Sequence, residues 1–283
     1  MAFMTDIYEH IMHYKKEGKD CVLITAVDKT GEGPVEVGKK LLVGEDGTMI
    51  GTVGGGNLEY HAVDKAGTLF KSRQNVLEKY LLNKGEVVPE AKTLPMVCGG
   101  VVTLFYEFIG AKEYVYLFGA GHVSQALAKV LKTMDFHLTV IDEREVVLEK
   151  FDGADRKVLE SFATFIDNEP IRDDSFIVVC TPSHKYDYHV INKVLERSLK
   201  PKYMGMLCSL KKLREYIDRT YETFGREIDL SNFYSPIGLD IGGGSPEEIA
   251  ISIASEMLAV SHGKTGHKHM RETADDKHRY WED

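Results

Sequence analysis

The sequence predicts an α/β protein with a C-terminal Rossmann-type parallel sheet and an N-terminal mixed α+β domain. Three observations carry this. From Tyr114 onward, apolar strand-like runs alternate with amphipathic helical stretches, the pattern of a parallel sheet covered on both faces. One of those strands runs into Gly119-Ala120-Gly121 and then a helix, with Asp142 lying 21 residues after Gly121. The 283 residues favour two domains over one, at roughly 150 residues per domain. The texture changes near Gly110, which predicts domains over 1–110 and 111–262 and a polar, His-rich tail over 263–283.

The elements follow in order. Residues 4–16 read as an amphipathic helix with Ile7, Ile11, Met12 and Tyr14 among its apolar positions. Cys21 to Val27 is a compact apolar strand, and Lys29 to Gly38 is a loop punctuated by Gly31, Gly33 and Pro34. Leu41 to Val43 and Met49 to Val53 flank Gly44-Glu45-Asp46-Gly47 as a hairpin. Gly54-Gly55-Gly56 leads into a helix from Asn57 to about Lys71, and strands follow at Val76–Leu82 and Val101–Ile109. In the second region the strands are Tyr114–Phe118, Leu138–Ile141, Phe176–Cys180 and Tyr203–Leu207. Helices are expected over 122–134, 186–198, 209–219 and Pro246 to about Val260.

Composition narrows the function classes. Hydrophobic residues make up 43% and charged residues 28%, a globular balance that excludes a disordered chain. The net charge of −9, with no Lys/Arg block, argues against a nucleic-acid binder. No apolar run approaches the roughly 20 residues that span a bilayer, and Met1 to Lys16 lacks the apolar core of a signal peptide. Cysteines at 21, 98, 180 and 208 form no CxxC pair, which disfavours a disulfide scaffold or zinc ribbon and fits a reducing cytoplasm.

The sharpest motif is Gly119-Ala120-Gly121-His122-Val123-Ser124. Gly119 allows a tight turn, Gly121 lets a pyrophosphate approach the backbone, and free N–H groups at the helix start favour the anion. Ser124 replaces the third glycine, and His122 lies where it could meet a phosphate. Asp142 would bind ribose hydroxyls and repel a 2′-phosphate, favouring NAD over NADP. The same motif also suits another nucleotide, or a Rossmann domain that has lost its ligand.

Two further glycine clusters precede helices. Gly54-Gly55-Gly56 has Glu59 in the following first turn, and Gly242-Gly243-Gly244 precedes Ser245-Pro246-Glu247-Glu248, a capping box with proline at its start. Such junctions can cradle phosphate or a pterin's polar edge, or simply cap a helix. Cys98-Gly99-Gly100 offers a thiol with room around it, either a sulfur or metal ligand or a small buried residue. Thr181-Pro182-Ser183-His184 and Asp187 sit at the carboxyl edge of the sheet, where His184 and Asp187 form either an orienting pair or a polar helix start. The tail histidines His262, His267, His269 and His278 make no pre-organised metal site, and no metal is assigned.

Together these residues carry a family resemblance. Gly51-Thr52-Val53-Gly54-Gly55-Gly56-Asn57-Leu58-Glu59 resembles the N-terminal signature of the XdhC/CoxI family, accessory factors for xanthine dehydrogenase and related molybdenum hydroxylases. Cys98-Gly99-Gly100, Gly119-Ala120-Gly121-His122-Val123 and the run from Ser235 to Gly243 with Pro246-Glu247-Glu248-Ile249-Ala250 resemble its later motifs, in the family's order. The resemblance implies a factor that binds molybdenum cofactor (molybdopterin), assists its terminal sulfuration, and inserts it into a xanthine dehydrogenase-type hydroxylase. It implies a cysteine desulfurase and the hydroxylase as partners, a homodimer, and a chaperone rather than a catalyst. The chain departs from the family pattern at Asn57, at Pro182 and over Cys208-Ser209-Leu210-Lys211-Lys212. Two other readings stay open: an NAD-dependent oxidoreductase using His184 as acid/base, and a nucleotide-binding regulatory protein.

Overall fold

The computed structural model describes residues 2–33, 35–83, 88–95 and 99–264. The chain divides into two compact units, Met1–Ala111 and Lys112–Asp283.

In the first unit the order is α1 (Ala2–Glu17), β1 (Cys21–Thr30), β2 (Lys40–Gly44), β3 (Met49–Gly51), α2 (Gly56–Ser72), β4 (Val76–Leu81), β5 (Ala91–Thr93) and β6 (Val101–Ile109). The strands form one sheet in the order β3-β2-β1-β6-β4-β5, antiparallel throughout except for the β4–β5 pair. The expected hairpin is present, with Leu42 opposite Ile50. Helix α2 buries Leu58, Ala62, Ala66 and Leu69 at helical spacing. They pack on Val22, Ile24, Leu104 and Tyr106, which alternate along β1 and β6. Each fully buried leucine contributes about 1.5–3 kcal/mol. The other face of the sheet carries Cys21, Leu23 and Leu42 against Ile7, Ile11 and Tyr14 of α1. Met12 is exposed, so it is not one of the helix's packing positions.

The second unit runs β7 (Glu113–Phe118), α3 (His122–Leu131), β8 (Phe136–Asp142), α4 (Glu145–Glu149), β9 (Arg156–Leu159) and α5 (Phe162–Asn168). It continues with β10 (Phe176–Val179), α6 (His184–Glu196), β11 (Tyr203–Met206), α7 (Leu210–Phe224), β12 (Phe233–Tyr234) and α8 (Pro246–Ser261). Among the described residues its sheet has six strands in the order β12-β11-β10-β7-β8-β9, all paired in parallel. Numbered within the unit, this is the 3-2-1-4-5-6 order of a Rossmann sheet.

Strand β7 is buried along its whole length, as a central strand covered on both faces must be. Val115 and Leu117 face α3 and α8 with Leu127, Leu131, Ile253 and Met257. Tyr116 and Phe118 face the opposite layer with Phe165, Ile191, Val194 and Tyr216. Strand order reverses between β7 and β10, so the carboxyl ends of these two strands frame the crevice where such sheets take ligands.

The structure adds elements that the sequence pattern does not mark: β5, α4, β9, α5 and β12. Each is short, and β5, β9 and β12 lie at sheet edges, where pairing with a neighbour rather than local pattern defines the strand. Helix α6 begins at His184, two residues before its expected start, because Ser183 caps it by accepting from Lys185 N. Among the described residues no helix is long and apolar enough to cross a membrane.

Candidate functional site

The loop after β7 is held by its neighbours on both sides. Gly119 N donates to Ile141 O on β8 (2.9 Å), and Cys180 N donates to Phe118 O (2.9 Å). Gly119 has φ +100°, and a Cβ there would overlap the Cys180 carbonyl oxygen and lie 3.0 Å from Thr181 Cα. Only glycine lets β7 turn this close to β10. Gly121 is different. It caps α3 with φ −74° and no side-chain cap, and its Cβ would meet nothing within 4 Å. The first turn of α3 carries no acid at the positive end of the helix.

The other two glycine junctions are closed by their own carboxylates. Glu59 accepts from Thr52 Oγ1 (2.6 Å), Gly55 N (3.2 Å) and Val53 N (3.3 Å), across a loop whose three glycines all have positive φ. Glu248 accepts from Gly244 N and Ser245 N, both at 2.9 Å, in the expected capping box. Those backbone hydrogen bonds hold Glu248 below the usual carboxylate range. In each loop a side-chain anion takes the donors that a ligand phosphate would need. At the α3 junction Asp142 takes the loop amide Ala120 N, while among the described residues no side-chain anion takes the amides of the first helical turn.

At that junction lies a crevice of about 320 Å³, whose lining includes Gly121, His122, Ser124, Arg144, Cys180 and Thr181. Pro246, at the start of α8 beyond the 242–244 glycines, also reaches it. Ser124 is fully buried, and its Oγ has no hydrogen-bond partner among the described residues. It lies near the Cys180 thiol, whose pKa it lowers while burial, the largest cause, and Asp187 raise it.

Asp142 has a different task from the expected one. Its side chain is fully buried. Oδ2 accepts from Ala120 N (2.7 Å) and Arg144 Nη2 (2.7 Å), and Oδ1 accepts from Arg144 N and Nε (both 2.9 Å). Burial alone would raise its pKa, but the Arg144 side chain and the two amides outweigh it and hold the carboxyl below its ordinary range. Asp142 therefore ties the glycine loop to β8, and the group it presents toward the crevice is Arg144. The expectation that Asp142 repels a 2′-phosphate loses its physical basis, because that charge is already paired.

Thr181 and Asp187 also pair with each other. Asp187 Oδ1 accepts from Thr181 N (3.0 Å) and lies 2.6 Å from Thr181 Oγ1, which is also 2.9 Å from Ser183 O. Asp187 is buried, and burial raises its pKa. Among the described residues no hydrogen bond joins it to His184, whose ring instead meets the edge of Tyr188. The two residues share the first turn of α6, so the carboxylate steadies the strand-to-helix turn rather than orienting the imidazole.

The remaining thiols are held protonated. Burial pushes Cys21 and Cys180 up to about 12, and Cys208, 3.1 Å from Ser235 Oγ, is raised by the same cause. Cys98 lies outside the described residues, as do His267, His269 and His278. Gly100 is packed tightly: a Cβ there would overlap the Glu32 carbonyl oxygen and stand 2.7 Å from that of Thr30, so this glycine serves close backbone approach. Gly99 is open, with nothing within 4 Å of its Cβ position. Among the described residues no group of three or more His, Cys, Asp or Glu is placed to hold a metal ion.

Sequence reasoning missed Arg144 and the orphaned Ser124 hydroxyl. The first had a signal: an arginine two residues after the acidic residue that ends the second Rossmann strand.

Two family matches cover both units. The XdhC Rossmann domain matches residues 115–257, and the XdhC and CoxI family matches residues 15–80. The chain belongs to the XdhC and CoxI family. It is 28% identical over 258 residues to the uncharacterized protein YqeB of Escherichia coli K12, covering 89% of this chain and 46% of that one. It is 29% identical over 157 residues to a Bacillus subtilis 168 protein described as a probable subunit of xanthine dehydrogenase, covering 55% and 45%. It thus spans less than half the length of these two family relatives. It is also 22% identical over 300 residues to the molybdenum cofactor insertion chaperone PaoD of E. coli K12, covering 92% and 90%. A crystal structure of a Bacillus halodurans xanthine dehydrogenase aligns with a TM-score of 0.49 at 20% identity, over 95% of this chain and 98% of that one.

Proposed function

We propose that this chain is an accessory factor in the maturation of a xanthine dehydrogenase-type molybdenum hydroxylase. In this reading it binds the molybdenum cofactor, assists its sulfuration together with a cysteine desulfurase, and delivers it to the apo-hydroxylase. It acts as a dimer in the reducing cytoplasm and as a chaperone rather than a catalyst. The observation that carries the reading is the pair of family matches, one in each unit, joined by the likeness to PaoD along nearly the whole chain.

The residues present fit one end of such a cofactor. Its phosphate needs amide and hydroxyl donors in a dry recess. The first turn of α3 supplies the amides, and the unpartnered Ser124 Oγ supplies a hydroxyl. The cofactor itself, when bound, supplies the molybdenum centre. A thiolate toward the metal end does not come from Cys180 or Cys208, since burial keeps both protonated. Cys98, which lies outside the described residues, is the thiol this reading assigns to the role.

The oxidoreductase alternative needs an oriented acid/base pair at His184. Asp187, the residue that would orient it, is hydrogen-bonded to Thr181 instead. The experiment is anaerobic purification followed by oxidation and pterin fluorescence, with molybdenum measured alongside. Pterin and metal in proportion to protein support the reading. A preparation from cofactor-replete cells carrying neither, and binding neither on addition, overturns it.

A further inference from the structure

Asp142 ends the second strand of the Rossmann sheet, where a free carboxylate normally takes the diol of a dinucleotide's ribose. Here both carboxylate oxygens are spent on Ala120 N and on the backbone and side chain of Arg144, and the side chain is fully buried. A diol would have to displace charge-assisted hydrogen bonds to reach it.

Arg144 is arranged the other way. Its Nε proton and one Nη2 proton go to Asp142, which fixes the plane of the guanidinium. Among the described residues, both Nη1 protons and the second on Nη2 make no hydrogen bond, and the side chain is 40% exposed on the crevice that Gly121 and Ser124 also line. Glu143 and Glu145 flank it in sequence and both are exposed; Asp142 and, through space, Glu143 raise the pKa of Arg144. The first turn of α3, opposite, carries no acid. The crevice therefore holds two anion-accepting points. One is the start of α3 with the orphaned Ser124 hydroxyl. The other is the outer edge of Arg144.

We propose that this crevice takes a dinucleotide whose sugar carries a phosphate monoester, the chemistry of NADP, with Arg144 holding the monoester and the α3 amides and Ser124 holding the pyrophosphate. NAD, with a free diol at that position, is the disfavoured ligand. The inference draws on the same α3 amides and Ser124 that the cofactor role assigns to a phosphate, but its readout is separate. Selective NADPH binding by a chain that activates no hydroxylase upholds it, and activation of a hydroxylase without such selectivity overturns it alone.

The test is titration of the full chain with NADPH and with NADH at fixed ionic strength, followed by nicotinamide fluorescence. NADPH is expected to bind about tenfold more tightly or better, one charge-assisted fork being worth at least that factor. Arg144→Ala and Arg144→Gln should each bring the two affinities within about twofold, while Arg144→Lys, which keeps the charge without the fork, retains part of the preference. Circular dichroism checks that each variant is folded. The proposal is overturned by NADH binding as tightly as NADPH, by a preference that survives in folded Arg144→Ala and Arg144→Gln, or by no binding of either dinucleotide at millimolar concentration.

Discussion

Gly119 and Gly121 stand two residues apart in one loop, and the structure assigns them opposite sensitivities. At Gly119 an alanine would adopt φ +100°, which costs a non-glycine residue about 1–3 kcal/mol. Its Cβ would also overlap the Cys180 carbonyl oxygen, so β10 or the loop must shift, bringing the total to about 2–4 kcal/mol. At roughly 2–4 °C per kcal/mol for a unit of this size, the melting temperature should fall by about 5–15 °C. At Gly121 the φ of −74° is ordinary and the Cβ meets open space, so alanine brings no strain and costs at most about 1 kcal/mol, as a poorer N-cap residue than glycine. The space it fills is that needed for a phosphate on α3, so the cost appears in ligand binding, more severely for Gly121→Val. Thermal and urea melts by circular dichroism give the stabilities, and hydrogen exchange on peptides from β7 to α3 locates the loss. A Gly119→Ala chain as stable as the wild type, or a Gly121→Ala chain destabilised by the larger amount, would refute this account of the loop.

Other consequences can be measured with the same tools. Asp142 is held below its ordinary pKa in the folded chain, so its stabilising contribution is present above the unfolded value of 3.8 and lost as pH falls through the lower folded value. Asp142→Asn should flatten that acid limb in urea titrations across this range. Asp46, lowered to about 2 by Tyr14 and Thr48, should act likewise in the first unit, and Asp46→Asn or Tyr14→Phe should remove its part of the slope between about pH 4 and pH 2. Tyr203 Oη donates to Glu256 Oε2, which also accepts from Gly238 N at 2.9 Å; Tyr203→Phe should cost about 1–2 kcal/mol by urea unfolding. Cys98→Ser should lower bound cofactor and hydroxylase activation, while Cys180→Ser should not, as assays of pterin content and activation would report.

The parts of the fold legible in the sequence are those written by local pattern. The runs at 114–118, 176–180 and 203–207 are continuous apolar stretches because both faces of the central strands are covered, and helix α2 carries its buried stripe at helical spacing. The edge strands were not legible, because Arg156–Leu159 and Phe233–Tyr234 become strands only through pairing with β8 and β11. At the candidate site, the glycine spacing marked the loop that the structure places beside the crevice. It could not tell an open junction from one already filled by Glu59 or Glu248, since that depends on where a carboxylate four residues onward folds back. Nor could it tell a free Asp142 from one spent on Arg144, a difference made by a side-chain rotamer rather than by residue type.

The central claim is that this chain matures a molybdenum hydroxylase, and one reconstitution tests it most directly. Apo-hydroxylase is incubated anaerobically with molybdenum cofactor, a cysteine desulfurase and cysteine, with or without the full chain, and hydroxylation of its substrate is followed. The account predicts activity that rises with the chain up to a stoichiometric plateau and falls back in Gly121→Val. Equal activation with and without the chain, at cofactor concentrations that limit the reaction, would contradict it.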